Sequence, residues 1–403
     1  MRETVIAGYL RTAQSRSRPN DPERDWFYQL RADDLLSMLL PELVQRTGIK
    51  SEEIDDCLIG CSLGVSENWA YGGRFPVMLS NLANSVAAKA IDQQCGSSMA
   101  AVHIGSMEIM LGYADIVLAC GMEHMTRVPR GQAWIEGGHA KANQRLVDEE
   151  QYEHWDILNA TNMGMTAEKL FSLRNFKKEE LDQWAKRSHE LAEKAQEEKY
   201  FENEIFPIKA KQADGSIKVV DKDQSVRKNA SMEALANLKP VFKKGGVITA
   251  GNSSPLNAGA SAILLMEKSL AKRRNIKPLA TIRSIGFAGV DPTIMGYGPV
   301  PATKKALDIV NLTPKDIDYW EINEAFSIVV LNCIRELGID QEIVNIKGGA
   351  IALGHPLGAT GCRLIGTLAR ILNEKKARYG CANACVGGGQ GVATIIEREN
   401  YDW

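Results

Sequence analysis

What this sequence lacks narrows it first. Phe, Trp and Tyr make up only 6% of the 403 residues. Neither sign of charge dominates: 48 Lys and Arg stand against 50 Asp and Glu, for a formal net charge of −2. So balanced a chain has no global basic field of the kind nucleic-acid binders carry, although a local basic patch can still hold phosphates. No apolar run approaches the length of a membrane span. The opening MRETVIAGYLRTAQ holds no stretch long enough for a signal peptide. The expectation is a cytoplasmic protein with reduced thiols. Its eight cysteines, at 57, 61, 95, 120, 333, 362, 381 and 385, are too scattered for a disulfide framework. Cys57/Cys61 and Cys381/Cys385 share a four-residue offset. They fall in apolar, strand-like runs without zinc-knuckle spacing, so no metal is expected.

What is there is an α/β pattern. Gly is abundant at 35 residues, which suits tight turns and close backbone approaches. TVIAGYL, DDCLIGCSL and ADIVLACGME read as strands. The segment 33–48 reads as a helix interrupted by Pro41, 75–83 as another, and a third follows residue 95. From about 125 to 255 the chain turns polar and irregular and contains the charged helix 179–200, read as a solvated face on an inserted lobe. After that, βα alternation resumes: strand ATIRSIGFAG, helix ATKKALDIVNL, strand DYWEI, helix EAFSIVVLNCIRELG, strand EIVNIKG, helix TGCRLIGTLARILNEKK and strand YGCANACVG. Residues 95–122 and 357–388 share one plan, a special turn, a helix and a strand ending in Cys-Gly or Cys-Val-Gly. That is an internal duplication, and two such units set back to back bring their turns near one site.

Four places carry chemistry. Cys95, in DQQCGSSMAA, falls at a strand-to-helix junction, where free N–H groups and the helix dipole favour a thiolate; from the decapeptide alone a buried structural cysteine is the commoner case. His355 sits in GGAIALGHPLGATG, a turn dense in glycine, where an imidazole is a candidate base or merely a turn residue. The other histidines, 103, 124, 139, 154 and 189, are read as structural. Cys385 ends an apolar strand before the glycines of CVGGGQG, whose N–H groups can bind an oxyanion; its thiol can exchange a proton at carbon. Asn323, in EINEAFS, can orient a water or simply cap the helix that Glu324 is expected to open. Two thiols, an imidazole, an amide and N–H donors together suit C–C bond formation or cleavage between thioesters.

At this point the sequence resembles the thiolases over nearly its whole length, through QQCGSSMAA, GMEHM, NMGMTAE, VITAGNSSPLNAGASA, IMGYGPVPA, NEAF, GGAIALGHPLGATG and CVGGGQG in family order. The resemblance implies two duplicated βαβαβαββ domains in five α-β-α-β-α layers, 1–124 with 256–276 and 277–403, and a CoA-binding loop domain at 125–255. It implies Cys95 as acylated nucleophile, His355 as its base, Cys385 as acid/base at the α-carbon, and Asn323 holding a water of one oxyanion hole. The N–H groups of Cys95 and Gly387 form the other. Met163, Ser254, Met295, Ala325 and Phe326 match the lining of the pantetheine tunnel, and Arg227 a position near the nucleotide phosphates. CoA enters as substrate, with no resident cofactor, and the assembly implied is a homodimer or homotetramer; the apolar strand near 114–120 fits either a subunit contact or a core strand. Asn162, where biosynthetic acetoacetyl-CoA thiolases carry His, points to the degradative 3-ketoacyl-CoA branch. Pro255 departs from the small residues usual there, and 127–158 matches no familiar loop, leaving acyl specificity open. The alternatives are a biosynthetic thiolase, a subunit needing a partner chain, a non-catalytic CoA-binding subunit, and a cysteine hydrolase, which leaves Cys385 unexplained. A second thiol disfavours decarboxylating ketoacyl synthases.

Overall fold

The computed structural model describes residues 2–129 and 142–399. Its framework is one mixed sheet in two halves. In the first half the strands lie in the order Ala87–Ile91, Asp56–Gly60, Ile116–His124, Asn257–Glu267, Thr4–Arg11. The first three are mutually parallel, and the next two pair antiparallel. The second half runs Tyr319–Ile322, Tyr379–Val386, Gln390–Arg398, Ala280–Gly289, again parallel and then antiparallel. Val5 and Ile6 join the halves by pairing with Thr281 and Ala280.

Alternating side chains sort the layers. In Ile116–His124, Ile116, Leu118, Cys120 and Met122 face the cluster built on helix Ala32–Thr47, while Val117 and Ala119 face inward. The inner cluster joins helices Ser97–Leu111 and Thr360–Lys375 between the half-sheets. Pro299–Ile309 and Ser327–Leu337 contribute to the outer cluster beyond the second half. Close contact of the central helices depends on glycine: a Cβ on Gly361 would lie 2.2 Å from the Met99 nitrogen. The duplicated α-β-α-β-α plan that the resemblance implies is therefore present.

Three local expectations need correcting. Pro41 does not interrupt its helix, which runs unbroken over Ala32–Thr47. Burial of Leu35, Leu36, Leu39, Leu40 and Leu43, at about 1.5–3 kcal/mol each, outweighs the roughly 3 kcal/mol cost of an interior proline. EIVNIKG is not a strand; it holds a short 3-10 turn, Gln341–Ile343, and a single bridge from Val344 to Trp320. Asn345 takes a left-handed φ of 49°, and its side chain supplies the next rung: Oδ1 accepts from Ile322 N at 2.8 Å and Nδ2 donates to Ile322 O at 2.9 Å. Glu324 does not open a helix, since the helix starts at Ser327.

The segment between His124 and Asn257 interrupts the first half. Among its described residues are the hairpin Ile208–Lys211/Ile217–Val220 and the helices Met163–Ser172 and Lys178–Glu197. The latter is charged outward, as expected, but buries Leu181, Trp184, Ala185, Ser188 and Ala192 along one face. Strand Ile116–His124 is fully buried between two neighbours, so it is a core strand and offers no subunit contact. The free edge is Ala87–Ile91. Among the described residues no helix is long and apolar enough to cross a membrane.

Candidate active site

Cys95 is placed by a sharp turn. After strand Ala87–Ile91 the chain makes the 3-10 turn Gln94–Gly96 and enters helix Ser97–Leu111. Gln94 has φ 48°, a left-handed geometry that costs a non-glycine residue about 1–3 kcal/mol and tends to be retained at functional sites. Asp92 Oδ1 accepts from Gln94 N at 2.8 Å, and Ser97 Oγ accepts from Gln93 N at 3.0 Å. The thiol ends up nearly buried at a helix start, packed with Met125 and Leu357.

His355 comes from the related unit. Its backbone N–H donates to Asn257 Oδ1 at 2.8 Å, and Gly354 before it has φ 123°, a conformation favouring glycine. Thr360 Oγ1 lies 2.7 Å from His355 Nδ1 and 2.9 Å from Pro356 O. The hydroxyl has one proton, and Pro356 O can only accept it, so Oγ1 accepts from Nδ1–H. That leaves Nε2 unprotonated, 3.3 Å from Asn323 Nδ2, which donates to it. Nε2 is thus the basic nitrogen, in a site where His355 is only 3% exposed.

Cys385 is fully buried near the end of strand Tyr379–Val386. Burial pushes its thiol well above the ordinary range, and the neighbouring charge of Cys95 raises it further. The two thiols, one from each half, are therefore within electrostatic reach. The following turn reaches the same place: a Cβ on Gly387 would lie 3.5 Å from the Gln94 side chain. Cys385 also belongs to the apolar cluster containing Met295, Ala325 and Phe326, with Met163 packed against it. Ser254 N donates to Ala325 O at 3.0 Å. Arg227 is exposed on the inserted segment, where its N–H donates to His189 Nδ1 at 3.2 Å. The structure thus sets Met295, Ala325 and Phe326 in one apolar cluster with Cys385, packs Met163 against that cluster, bonds Ser254 to Ala325 and Asn323 to His355, and leaves Arg227 exposed.

Two buried carboxylates that hold this arrangement escaped the sequence reading. Glu123, from GMEHM, accepts from Ser62 N, Asn68 Nδ2 and Gly358 N at 2.9–3.0 Å, fixing the His355 turn to the first half. Glu324, from NEAF, accepts from Trp184 Nε1, Ser188 Oγ, Asn345 Nδ2 and Ile351 N, clamping the inserted helix to the second half. Their signal was an acid inside an otherwise apolar motif. The remaining described histidines are structural: His103 and His124 are buried against Thr394 Oγ1 and Phe27 O, and His154 lies beside Trp155. His139 lies outside the described residues. Asn162 caps its helix, accepting from Met165 N. Among the described residues no group of three or more His, Cys, Asp or Glu could hold a metal ion.

Known proteins resemble this chain over its whole length. Residues 10–269 match the family model "Thiolase, N-terminal domain" and 276–398 match "Thiolase, C-terminal domain". The chain belongs to the thiolase family and is an acyltransferase. It is 40% identical over 404 residues to a 3-ketoacyl-CoA thiolase of Photorhabdus laumondii, covering 99% of this chain and 100% of that one. With the 3-ketoacyl-CoA thiolase of Marinobacter nauticus it shares 38% over 402 residues, 98% of each. Among solved structures, the Bacillus anthracis acetyl-CoA acetyltransferase superposes with a TM-score of 0.87 at 34% identity over 99% of both chains. Human mitochondrial 3-ketoacyl-CoA thiolase in complex with CoA gives 0.84 at 30%, covering 99% of this chain and 98% of that one.

Proposed function

We propose that the protein is a degradative 3-ketoacyl-CoA thiolase of fatty-acid β-oxidation, acting in the cytoplasm. The observation that supports this is that Cys95 and Cys385, one from each half, lie within electrostatic reach of each other, with His355 bonded to Asn323 through an unprotonated Nε2. His355 Nε2 takes the Cys95 proton, and the thiolate attacks the 3-keto carbon. The alkoxide collapses, the C2–C3 bond breaks, and Cys385 delivers its proton to C2. Acetyl-CoA leaves and the shortened acyl group stays on Cys95 as a thioester. A second CoA thiol, deprotonated by Cys385, attacks that thioester and releases acyl-CoA. A thiol raised by burial suits Cys385 for delivering a proton to carbon. Asn323, the N–H of Cys95 and the N–H of Gly387 supply the oxyanion contacts.

Met163, Ser254, Met295, Ala325 and Phe326 line the pantetheine passage on this reading. The acyl tail enters a cavity of about 690 Å³ lined by Leu146, Trp155, Ile157, Ala160, Gly388 and Gly389. It is mostly apolar and within the size range of small-molecule sites, so chains well beyond acetoacetyl are the fitting substrates. The domains are 1–124 with 256–276, 125–255, and 277–403. A second copy pairs along the free edge Ala87–Ile91, beside the exposed Trp69, Tyr71 and Phe75 rings; an open strand edge with neighbouring aromatics favours association. The test is CoA-dependent cleavage across a series from acetoacetyl-CoA to long-chain 3-ketoacyl-CoAs. The expected result is a kcat/KM that rises with chain length over acetoacetyl-CoA. Preference for acetoacetyl-CoA would favour the biosynthetic alternative, and no cleavage of any member would sink the reading.

A further inference from the structure

One step along the chain from the His355 site, the same strand and helix make a second buried contact. Arg363 Nη1 donates to Glu321 Oε2 at 2.8 Å, and the two side chains are 1% and 0% exposed. Arg363 Nε, Arg363 Nη2 and Glu321 Oε1 have no hydrogen-bond partner among the described residues, so the pair rests on one bond. Burial raises the Glu321 carboxyl well above the usual range, and Arg363 opposes that shift. A pair buried at such cost and bonded only in part stabilises a fold poorly against an apolar replacement of similar volume. Its location points to a different use.

Glu321 lies in strand Tyr319–Ile322, two residues before Asn323. Trp320 and Ile322 belong to the outer cluster, so alternation turns Glu321 and Asn323 together to the inner face. Arg363 lies in helix Thr360–Lys375, three residues after Thr360, and that spacing puts both on one helix face. Strand and helix are thus joined by two adjacent crosslinks. One is Glu321–Arg363. The other is His355, bonded to Asn323 Nδ2 at 3.3 Å and to Thr360 Oγ1 at 2.7 Å. Sheet-like bonds fix the strand sideways, through Asn323 N to Asn383 O at 2.9 Å and through Asn345 to Ile322. They do not fix its distance from the helix. We infer that Glu321 and Arg363 are positioning residues: their contact sets the spacing between strand and helix at which Asn323 and Thr360 can bond opposite nitrogens of His355. This rests on the role proposed above for His355.

The test compares Glu321→Leu/Arg363→Met, which removes the pair at similar volume, with Arg363→Lys, whose ammonium can make the same single contact. Each is measured for its unfolding midpoint and for kcat and KM on a long-chain 3-ketoacyl-CoA with CoA. The ring-nitrogen NMR shifts of His355 are read as well, assigned by their absence in His355→Gln. The double variant is expected to keep a wild-type midpoint and to lose about ten-fold or more in kcat with KM within about two-fold. It is also expected to lose the separation between the protonated Nδ1 and bare Nε2 signals. Arg363→Lys is expected to keep both signals and a kcat within about three-fold. A stable double variant with wild-type kcat overturns the inference, as do unchanged His355 signals in it. Should the double variant not fold, Arg363→Lys decides: a kcat down about ten-fold with the midpoint and both signals intact overturns the inference. If the double variant disturbs the His355 signals while His355→Gln cleaves at the wild-type rate, the positioning stands and the role proposed for His355 falls.

Discussion

At the residue scale the account turns on one proton. Thr360 accepts from His355 Nδ1–H and donates to Pro356 O, so Nε2 is the unprotonated nitrogen, and on the proposed mechanism it takes the Cys95 proton. Thr360→Val removes that acceptor and releases the tautomer. It is expected to slow alkylation of Cys95 by iodoacetamide about ten-fold near neutral pH and to move the pH profile of kcat/KM, while Thr360→Ser restores both. An unmoved profile in Thr360→Val would mean the hydroxyl only packs. Cys95→Ser is expected to lose turnover by about 10³-fold or more, with CoA affinity by calorimetry within about two-fold, because the substitution changes one buried atom and leaves the rest of the site intact. Cys95, His355, Cys385 and Asn323 stood out as candidates in the sequence because each sits in a glycine-rich or polar break within an apolar run. Thr360 and Asn257 were not, because their importance depends on which atoms the fold sets beside them.

At the element scale, side chains stand in for missing backbone. The second half lacks the edge strand that Ala87–Ile91 provides in the first, and the Asn345 amide makes that rung with Ile322. The residues EIVNIKG are as apolar and β-branched as a strand, so the pattern predicted one. A left-handed Asn345 breaks the extension and is visible only in three dimensions. Asn345→Ala strips Ile322 N and O of partners and removes a donor to buried Glu324. The expected cost is about 2–4 kcal/mol in chemical denaturation, with faster amide exchange at Ile322. A change under about 0.5 kcal/mol would mean water replaces the amide. The inserted helix was legible as a helix but not as a buried one, since its buried face carries polar groups, among them Ser188, whose hydroxyl reaches Glu324 at 2.6 Å.

At the scale of the whole molecule, two repeats of one plan are fused back to back, and the buried polar groups between them make stability depend on pH. His103, in the central helix, reaches Thr394 Oγ1 of the second half at 2.9 Å. Burial lowers it to about 4, and burial with Arg227 and Arg16 lowers His189 to about 4. Unfolded, both histidines bind protons near 6.5, so between pH 6.5 and 4 the unfolded chain holds more protons than the folded one. Stability is therefore complete above pH 6.5 and is lost on acidification toward 4, by an amount on the order of 3 kcal/mol from His103 alone. His103→Gln should flatten the fall of the unfolding midpoint across that window; an unchanged slope would assign the acid sensitivity to other groups. The duplication was legible because both copies keep the turn, helix and Cys-containing strand. The way the copies face each other, through Gly361 against Met99, was not.

The most direct test of the central claim is to mix the protein with a long-chain 3-ketoacyl-CoA in the absence of free CoA and map any adduct by mass spectrometry of its peptides. The account predicts one equivalent of acetyl-CoA released, the shortened acyl group on Cys95 alone, and its discharge when CoA is added. An acyl group on Cys385, or cleavage that proceeds with Cys95 unmodified, would contradict it.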